Sequence, residues 1–440
     1  MTSSWHTPDL RKRHRVVSPV QLAILGAEAW AKSDNPAAYT VVSAVRAKGI
    51  PNWSELVAAV SSTLTRHDVL TWRFSYDESF SLVASGGVSG VSAHFSIEEV
   101  DLTDLDFSEA ETQAADRLHR ERHRVIDLLD LHCYPHTRAI LFRLSGGADS
   151  GNAICALVTH HAFVDERAVE LIWVEVFERS TGTVRFREED LRYSDWAARS
   201  VTPESKSEAK RDAEEIVHSV YLGRGALSKI SAEEVASTAQ AGSLRFSIPR
   251  WLDRAVENRA AGMAVSESAF FLVAYQRTVA RYSATHPTVI VTPMSLRRQF
   301  SEMGIIGCFV SSIPIISATH FCADRSSVEA VESMQKAVSF AASHRFADID
   351  LIRREMSGIQ RVSLAFETRG VTRNTGPITW VSMPPPDSYA KFPISLFVAR
   401  GSRWNTGEGR LSWKSKTLHE GAARNFVDDF ISTLERLASE

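Results

Sequence analysis

The sequence is poor in cysteine: 440 residues contain four, Cys133, Cys155, Cys308 and Cys322, widely spaced and set mostly among apolar neighbours. No CxxC pair occurs, which excludes a zinc ribbon or a thioredoxin-type redox site, and the thiols read as reduced core residues of a cytoplasmic protein. Net charge is small as well, −3 at neutral pH, so no global field favours nucleic acid or an acidic membrane surface. An apolar run of the ~18 residues a membrane span needs is missing, as is the basic-then-apolar start of a secretory signal. There is no GxSxG elbow. Gly223-Arg224-Gly225 lacks both the third glycine and the preceding strand of a phosphate loop. His132-Cys133-Tyr134-Pro135-His136 brings ligand types together, but Pro135 interrupts any helical face and no second cluster completes a tetrahedral site, so no metal is expected. The one basic run, Arg11 to Arg15, reads as a solvated arm.

What is present is ordinary in bulk and specific in one stretch. With 44% hydrophobic and 23% charged residues, a chain of this length can bury two sizeable cores. Ile154, Ala156 and Val158 alternate with Cys155, Leu157 and Thr159 in a nearly continuous apolar run, the pattern of a strand covered on both faces. His160 and His161 end it, one pointing to each side of the sheet. Asp165 follows at a helix start, ahead of the inward stripe Ala168, Val169, Leu171 and Ile172. The spacing is HHxxxD. An imidazole at a strand end can take a proton from an amine or hydroxyl attacking an acyl carbon, or hold that nucleophile. From these residues alone the bland alternative stays open, with two satisfied core histidines and Asp165 as no more than a cap.

Around this stretch the periodicity predicts an α/β organisation. Ser18 and Pro19 open a helix, residues 38–45 form a strand, 53–65 a helix, 109–124 a polar helix, and 139–144 a strand joined to the histidine strand through the glycine-rich 145–151. The polar stretch 180–189 and the charged 202–215 mark the domain boundary, giving residues 1–180 and 181–440. The second part is expected to hold helices at 267–283, 327–343 and 421–437 and strands at 288–293, 310–317, 392–400 and 409–413. Residues 368–390, rich in Pro, Gly, Ser and Thr, read as a long functional loop or crossover.

Several segments in order now resemble one family. His160-His161 with Asp165 is similar to the HHxxxDG signature of nonribosomal peptide synthetase condensation domains, relatives of chloramphenicol acetyltransferase. Ser18-Pro19-Val20-Gln21 resembles the family's opening S-x-x-Q, and Arg66 to Phe74 resembles its RHExLRTxF with one extra residue. Tyr193-Ser194-Asp195-Trp196 falls where it has Y-x-D-aromatic, Thr292 to Arg297 resembles the segment ending in the motif arginine, and Ile306 to Pro314 resembles VGxFVNTxP. The resemblance implies two chloramphenicol-acetyltransferase-like lobes in a V with a tunnel open at both ends. It makes His161 the catalytic histidine, His160 largely structural, and Asp165 and Arg297 a buried ion pair, with Ser295, Ser311 and Ser312 along the substrate tunnel on the acceptor side.

The departure is Glu166, where the family has glycine. Its carboxylate either narrows the acceptor side or binds a cationic acceptor, or it simply turns to solvent in the first helical turn, where acids are favoured; a third reading is an inactive module. The expected activity is that of a free-standing condensation enzyme, joining an acyl or aminoacyl thioester on the phosphopantetheine of an acyl or peptidyl carrier protein to an amine. Alternatives are an ester-forming O-acyltransferase that uses acyl-CoA or a carrier thioester with an alcohol acceptor, and a non-catalytic docking module. No bound cofactor, nucleic acid or membrane partner is expected.

Overall fold

The computed structural model describes residues 15–31, 37–86, 95–130, 135–145, 151–183, 192–222, 241–282, 289–316, 326–357, 359, 361–367, 372–383, 391–399, 406–414 and 417–440. Its elements in chain order are α1 (Pro19–Ala31), β1 (Thr40–Ile50), α2 (Trp53–Arg66), β2 (Arg73–Tyr76), β3 (Leu82–Ser85), β4 (Phe95–Leu102), α3 (Phe107–Arg122), β5 (Thr137–Leu144), β6 (Gly151–His160), α4 (Glu166–Ser180), α5 (Tyr193–Ser200) and α6 (Pro203–Leu222). Then come β7 (Ala241–Ile248), α7 (Arg250–Met263), α8 (Glu267–Tyr282), β8 (Val289–Ser295), β9 (Val310–Ile315), α9 (Ser327–Ser343), α10 (Ile349–Glu355), β10 (Arg361–Glu367), β11 (Arg373–Thr375), β12 (Ile378–Ser382), β13 (Ile394–Ala399), β14 (Gly407–Lys414) and α11 (Glu420–Ser439).

Two mixed sheets organise them, ordered β11-β12-β1-β6-β5-β4 and β7-β14-β13-β10-β8-β9, with β2 and β3 as a separate hairpin. The histidine strand β6 lies inside the first sheet, antiparallel to β1 and β5. From Ala153 to Val158 it is almost completely buried, so the continuous apolar run does mark a strand covered on both faces. Each sheet has its own apolar core.

Sequence order and spatial order part company in three places. The charged stretch 202–215 belongs from Pro203 onward to α6, whose Ala213, Ile216 and Val217 enter the second core. The first core takes Tyr193, Trp196 and Ala197 from α5, and also Leu296, Ile305, Ile306, Cys308 and Phe309 from far along the chain. Within the Pro/Gly-rich connector, residues 372–383 form the hairpin β11–β12, which extends the first sheet through Ala47 opposite Trp380. Gly376, at φ 58°, takes the first of two loop positions, where a II′ turn needs a positive φ. Trp380 is buried against Phe177, and Arg373 pairs with Glu170 of α4 at 2.7 Å. Burial of this strand edge decides the hairpin; composition points to a loop.

Among the described residues no helix is long and apolar enough to cross a membrane. The expectations for Arg11 to His14, for Cys133 and Cys322, for His132 to Tyr134, for Gly223 to Gly225 and for residues 384–390 lie outside the described residues.

Candidate active site

The site begins where β6 runs out. Thr40 opposite His160 is the last rung of the β1–β6 ladder, after which the His161 N–H donates to the Tyr39 carbonyl at 2.8 Å. The chain then turns, with the Phe163 N–H donating to the His160 carbonyl at 3.0 Å, and enters α4 with Asp165 as its N-cap. The Asp165 carboxylate accepts the Ala168 N–H at 2.7 Å, the side-chain cap expected for an Asp with extended backbone ahead of a helix.

The two histidines meet different surroundings. His160 is fully buried and both ring nitrogens are engaged. Its Nδ1 accepts the Ala162 N–H at 3.1 Å, which fixes the proton on Nε2, and Nε2 donates to Glu28 at 3.2 Å. His161 is half-buried and has its Nδ1 2.9 Å from the Val164 carbonyl. A carbonyl only accepts, so Nδ1 carries the proton and Nε2 keeps a lone pair. Burial, followed by the nearby Lys391 charge, pushes the His161 imidazolium down to about 4. The ring is therefore neutral at physiological pH, in the tautomer a proton acceptor needs.

Cys308 lies 3.9 Å from His161 Nδ1, but that nitrogen is already donating to Val164. Burial raises the Cys308 thiol to about 12, so it stays protonated. A thiol without a free base and with so high a pKa is not an activated nucleophile.

Asp165 is the hub that ties the turn to the distant half of the sequence. Arg297 donates to its two carboxylate oxygens at 2.6 and 3.2 Å, a bidentate pair in which both side chains are buried. The Phe309 N–H donates to the same carboxylate at 3.0 Å. Arg297 also donates to the Ile305 carbonyl at 3.1 Å, and its guanidinium lies 4.1 Å from the Phe309 ring centroid. Four hydrogen bonds from three residues fix the carboxylate and hold residues 296–309 against the histidine turn.

The other resembling segments converge on the same turn. Gln21 donates to the Ala162 carbonyl at 3.0 Å, while its Oε1 accepts the Ser18 N–H at 3.0 Å. The Tyr193 hydroxyl donates to the Cys308 carbonyl at 2.9 Å and meets the Ser18 hydroxyl at 2.9 Å. Gly307 packs flat on the Tyr193 ring, and a Cβ there would collide with it. In the 66–74 segment, His67 contacts Glu175 of α4 at 2.7 Å, which braces α2 on α4, and Trp72 and Phe74 are core residues. That segment serves the frame and backs the turn through the Phe74 ring, which stacks on Phe163 at 5.7 Å between centroids.

Ser295 sits at the end of β8, where its hydroxyl accepts the Arg297 N–H at 3.3 Å. Ser311 and Ser312 are neighbours on β9 and face opposite sides of the sheet; Ser311 is buried and Ser312 exposed. Glu166 is exposed in the first turn of α4. No cluster of three potential metal ligands occurs among the described residues. Glu28, Tyr39 and Lys391 escaped the sequence reading. None carries a motif signal, since each reaches the turn only through tertiary packing.

Comparison with known proteins agrees with this geometry. Residues 12–369 match the condensation-domain family, and the chain belongs to that family. Among solved structures it is similar to the first condensation domain of the calcium-dependent antibiotic synthetase in complex with a substrate analogue, with TM-score 0.77 and 15% identity over 98% of this chain and 97% of that one. It is similar also to the SgcC5 protein from Streptomyces globisporus, with TM-score 0.75 and 16% identity over 96% and 98% of the two chains. The starter condensation domain of rhizomide synthetase, solved in complex with C8-CoA, gives TM-score 0.74 and 13% identity over 98% and 96%. No curated protein matches in sequence. The fold is thus a condensation-domain fold, and acyl transfer is the chemistry associated with its family.

Proposed function

We propose that this protein condenses a thioester-borne acyl or aminoacyl group, delivered on the phosphopantetheine of a carrier protein, with an amine to form an amide. One observation carries the reading: His161 is held neutral, with Nδ1–H spent on Val164 and the Nε2 lone pair, unpartnered among the described residues, left for a substrate. The amine approaches the thioester carbonyl, Nε2 orients it and takes its proton, and the proton passes to the departing thiolate. The bond formed is C–N and the bond broken is C–S. The N-terminal dipole of α4, which starts at Glu166, favours the negative charge that develops on the carbonyl oxygen. Asp165 and Arg297 take no part in proton transfer; the four hydrogen bonds on the Asp165 carboxylate keep the turn in register.

The test is intact-mass analysis of acyl-loaded carrier proteins incubated with paired amine and alcohol acceptors. Unloading to an amide that is lost in His161→Ala supports the reading, and unloading by the alcohol alone assigns an ester synthase. A second reading, a docking module without catalysis, draws on similarity to the X-domain solved in complex with OxyB, at TM-score 0.72 and 16% identity over 98% of this chain and 94% of that one. Partner capture that needs the fold but not His161, with no acyl transfer, would establish it.

A further inference from the structure

Away from the histidine turn, the end of α3 carries a side-chain pair for which acyl transfer has no use. His119 lies in the last turn of this helix and His123 is its C-cap, and both are exposed. Residues four apart on a helix share one face, and here the two Nε2 atoms stand 3.4 Å apart. That is long for an N–H donor, which usually bonds to oxygen at ~2.7–3.2 Å. The ring planes meet edge to face at 76° with centroids 4.9 Å apart, closer than imidazoles joined end to end would stand. Two bonds of ~2.0–2.1 Å to a single tetrahedral ion set their nitrogens ~3.3 Å apart, close to the separation present here.

The surroundings suit a cation. The C-terminal end of a helix carries partial negative charge. Two of the neighbouring arginines are directed elsewhere: Arg122 donates to the carbonyls of Ala37 and Thr40, and Arg124 lies 3.7 Å from Glu121. Arg120 sits ~100° round the helix from His119. Zinc peptidases take two of their ligands from histidines spaced in this way on one helix face, with a glutamate after the first histidine as the base. Arg120 holds that position here, and Glu121 is buried against Arg138 at 3.1 Å, so nothing hydrolytic goes with the pair. No third histidine, cysteine or carboxylate completes the set among the described residues.

We propose that His119 and His123 form a binding site for one divalent transition-metal ion of the class that prefers imidazole, zinc, nickel or copper, with water filling its other positions. Magnesium and calcium, which seek oxygen ligands, are excluded by the donor set. Binding takes the lone pair of both Nε2 atoms, so a ring that holds its proton on Nε2 passes it to its own Nδ1 or to solvent. The ion staples the last turn of α3, and this turn backs the histidine strand: Arg122 donates to the Thr40 carbonyl, the Thr40 hydroxyl donates to the Arg124 carbonyl at 2.6 Å, and Thr40 stands opposite His160.

The experiment uses the full chain without an affinity tag, titrated calorimetrically with ZnCl2 and followed by thermal melts. Wild type is expected to take up zinc saturably at one equivalent, with a Tm that rises as zinc is added, while MgCl2 does neither. His119→Gln and His123→Gln should each weaken zinc binding at least ~10-fold and flatten the Tm response. Because both side chains are exposed, the metal-free Tm of each variant should stay within ~2 °C of wild type. Electron paramagnetic resonance with Cu²⁺ reads the ligands directly, two equatorial nitrogens in wild type and one in either variant. The proposal is overturned if ~1 mM zinc leaves wild type unsaturated, or if either variant binds zinc as tightly as wild type does. A zinc-dependent rise in Tm that survives in the double variant would overturn it as well.

Discussion

The two sides of the β6 terminus carry the same residue type with opposite outcomes. On one side His160 is sealed, with Nδ1 taken by Ala162 and Nε2 by Glu28. On the other, His161 gives one nitrogen to Val164 and the second has no partner among the described residues. Strand alternation alone sends neighbouring side chains to opposite faces; the packing on each face then decides which imidazole becomes frame and which remains available. A functional histidine is thus recognised less by its presence than by how many of its nitrogens the protein has already used.

The sharpest test of that contrast is the pair His161→Ala and His160→Ala. Loss of His161 should lower kcat by ~10²- to 10⁴-fold, the usual range for a removed general base, with the unfolding free energy changed by less than ~1 kcal/mol. Equal kcat losses from both variants, each still folded, would break the comparison.

Next in size is Asp165→Ala, which leaves Arg297 uncompensated in a buried site and also removes a helix cap. Urea denaturation should show a loss of ~3 to 5 kcal/mol, and activity should fall with the fold. For His160→Ala the same measurement should give ~1 to 3 kcal/mol, because Glu28 and the Ala162 N–H lose their partner, with kcat within tenfold of the wild type.

The pH dependence sharpens the contrast further. His161 is neutral in the folded protein down to about 4, so the acid limb of kcat/KM should fall near there and not near the ~6.5 of an ordinary histidine. Lys391→Met removes a repelling positive charge and should move this limb upward. In the stability curve the sign follows from proton counting. Between ~6.5 and about 4 the unfolded state binds the proton at His161 and the folded state does not, so this residue makes the fold less stable as pH drops through that window. The smallest effect is expected for Glu166→Gly. Exposure of this side chain in a first helical turn predicts a stability change of ~1 kcal/mol or less, and comparison of neutral and cationic acceptors reads any role in substrate choice.

Much of the frame was legible in the residues. The helix expected at 267–283 is α8, that at 327–343 is α9, and the strand before the histidines is the buried β6, because each has a strong and unmixed period. The segments resembling the family's motifs also proved to be neighbours in space, with Ser18, Gln21, Tyr193 and Gly307 packed around one turn. Less legible were α6, whose charged residues hide a short buried stripe, and the β11–β12 hairpin, whose Gly376-Pro377 loop has the composition of a linker. The failure has the same physical cause in both cases: what settles the element is a surface supplied by another part of the chain.

The sequence by itself determined the local device, an apolar strand, two histidines facing apart, and an aspartate that starts a helix, since these follow from periods of 2 and 3.6 and from capping chemistry. Tertiary structure alone decided that Arg297 and the Phe309 N–H would close on Asp165, that Gln21 would hold the Ala162 carbonyl, and that the Lys391 ammonium would rest on the Tyr39 ring. Each of these contacts joins residues more than a hundred positions apart, and hydrogen bonds and ion pairs act over a few ångströms, so only the folded chain brings the partners within reach.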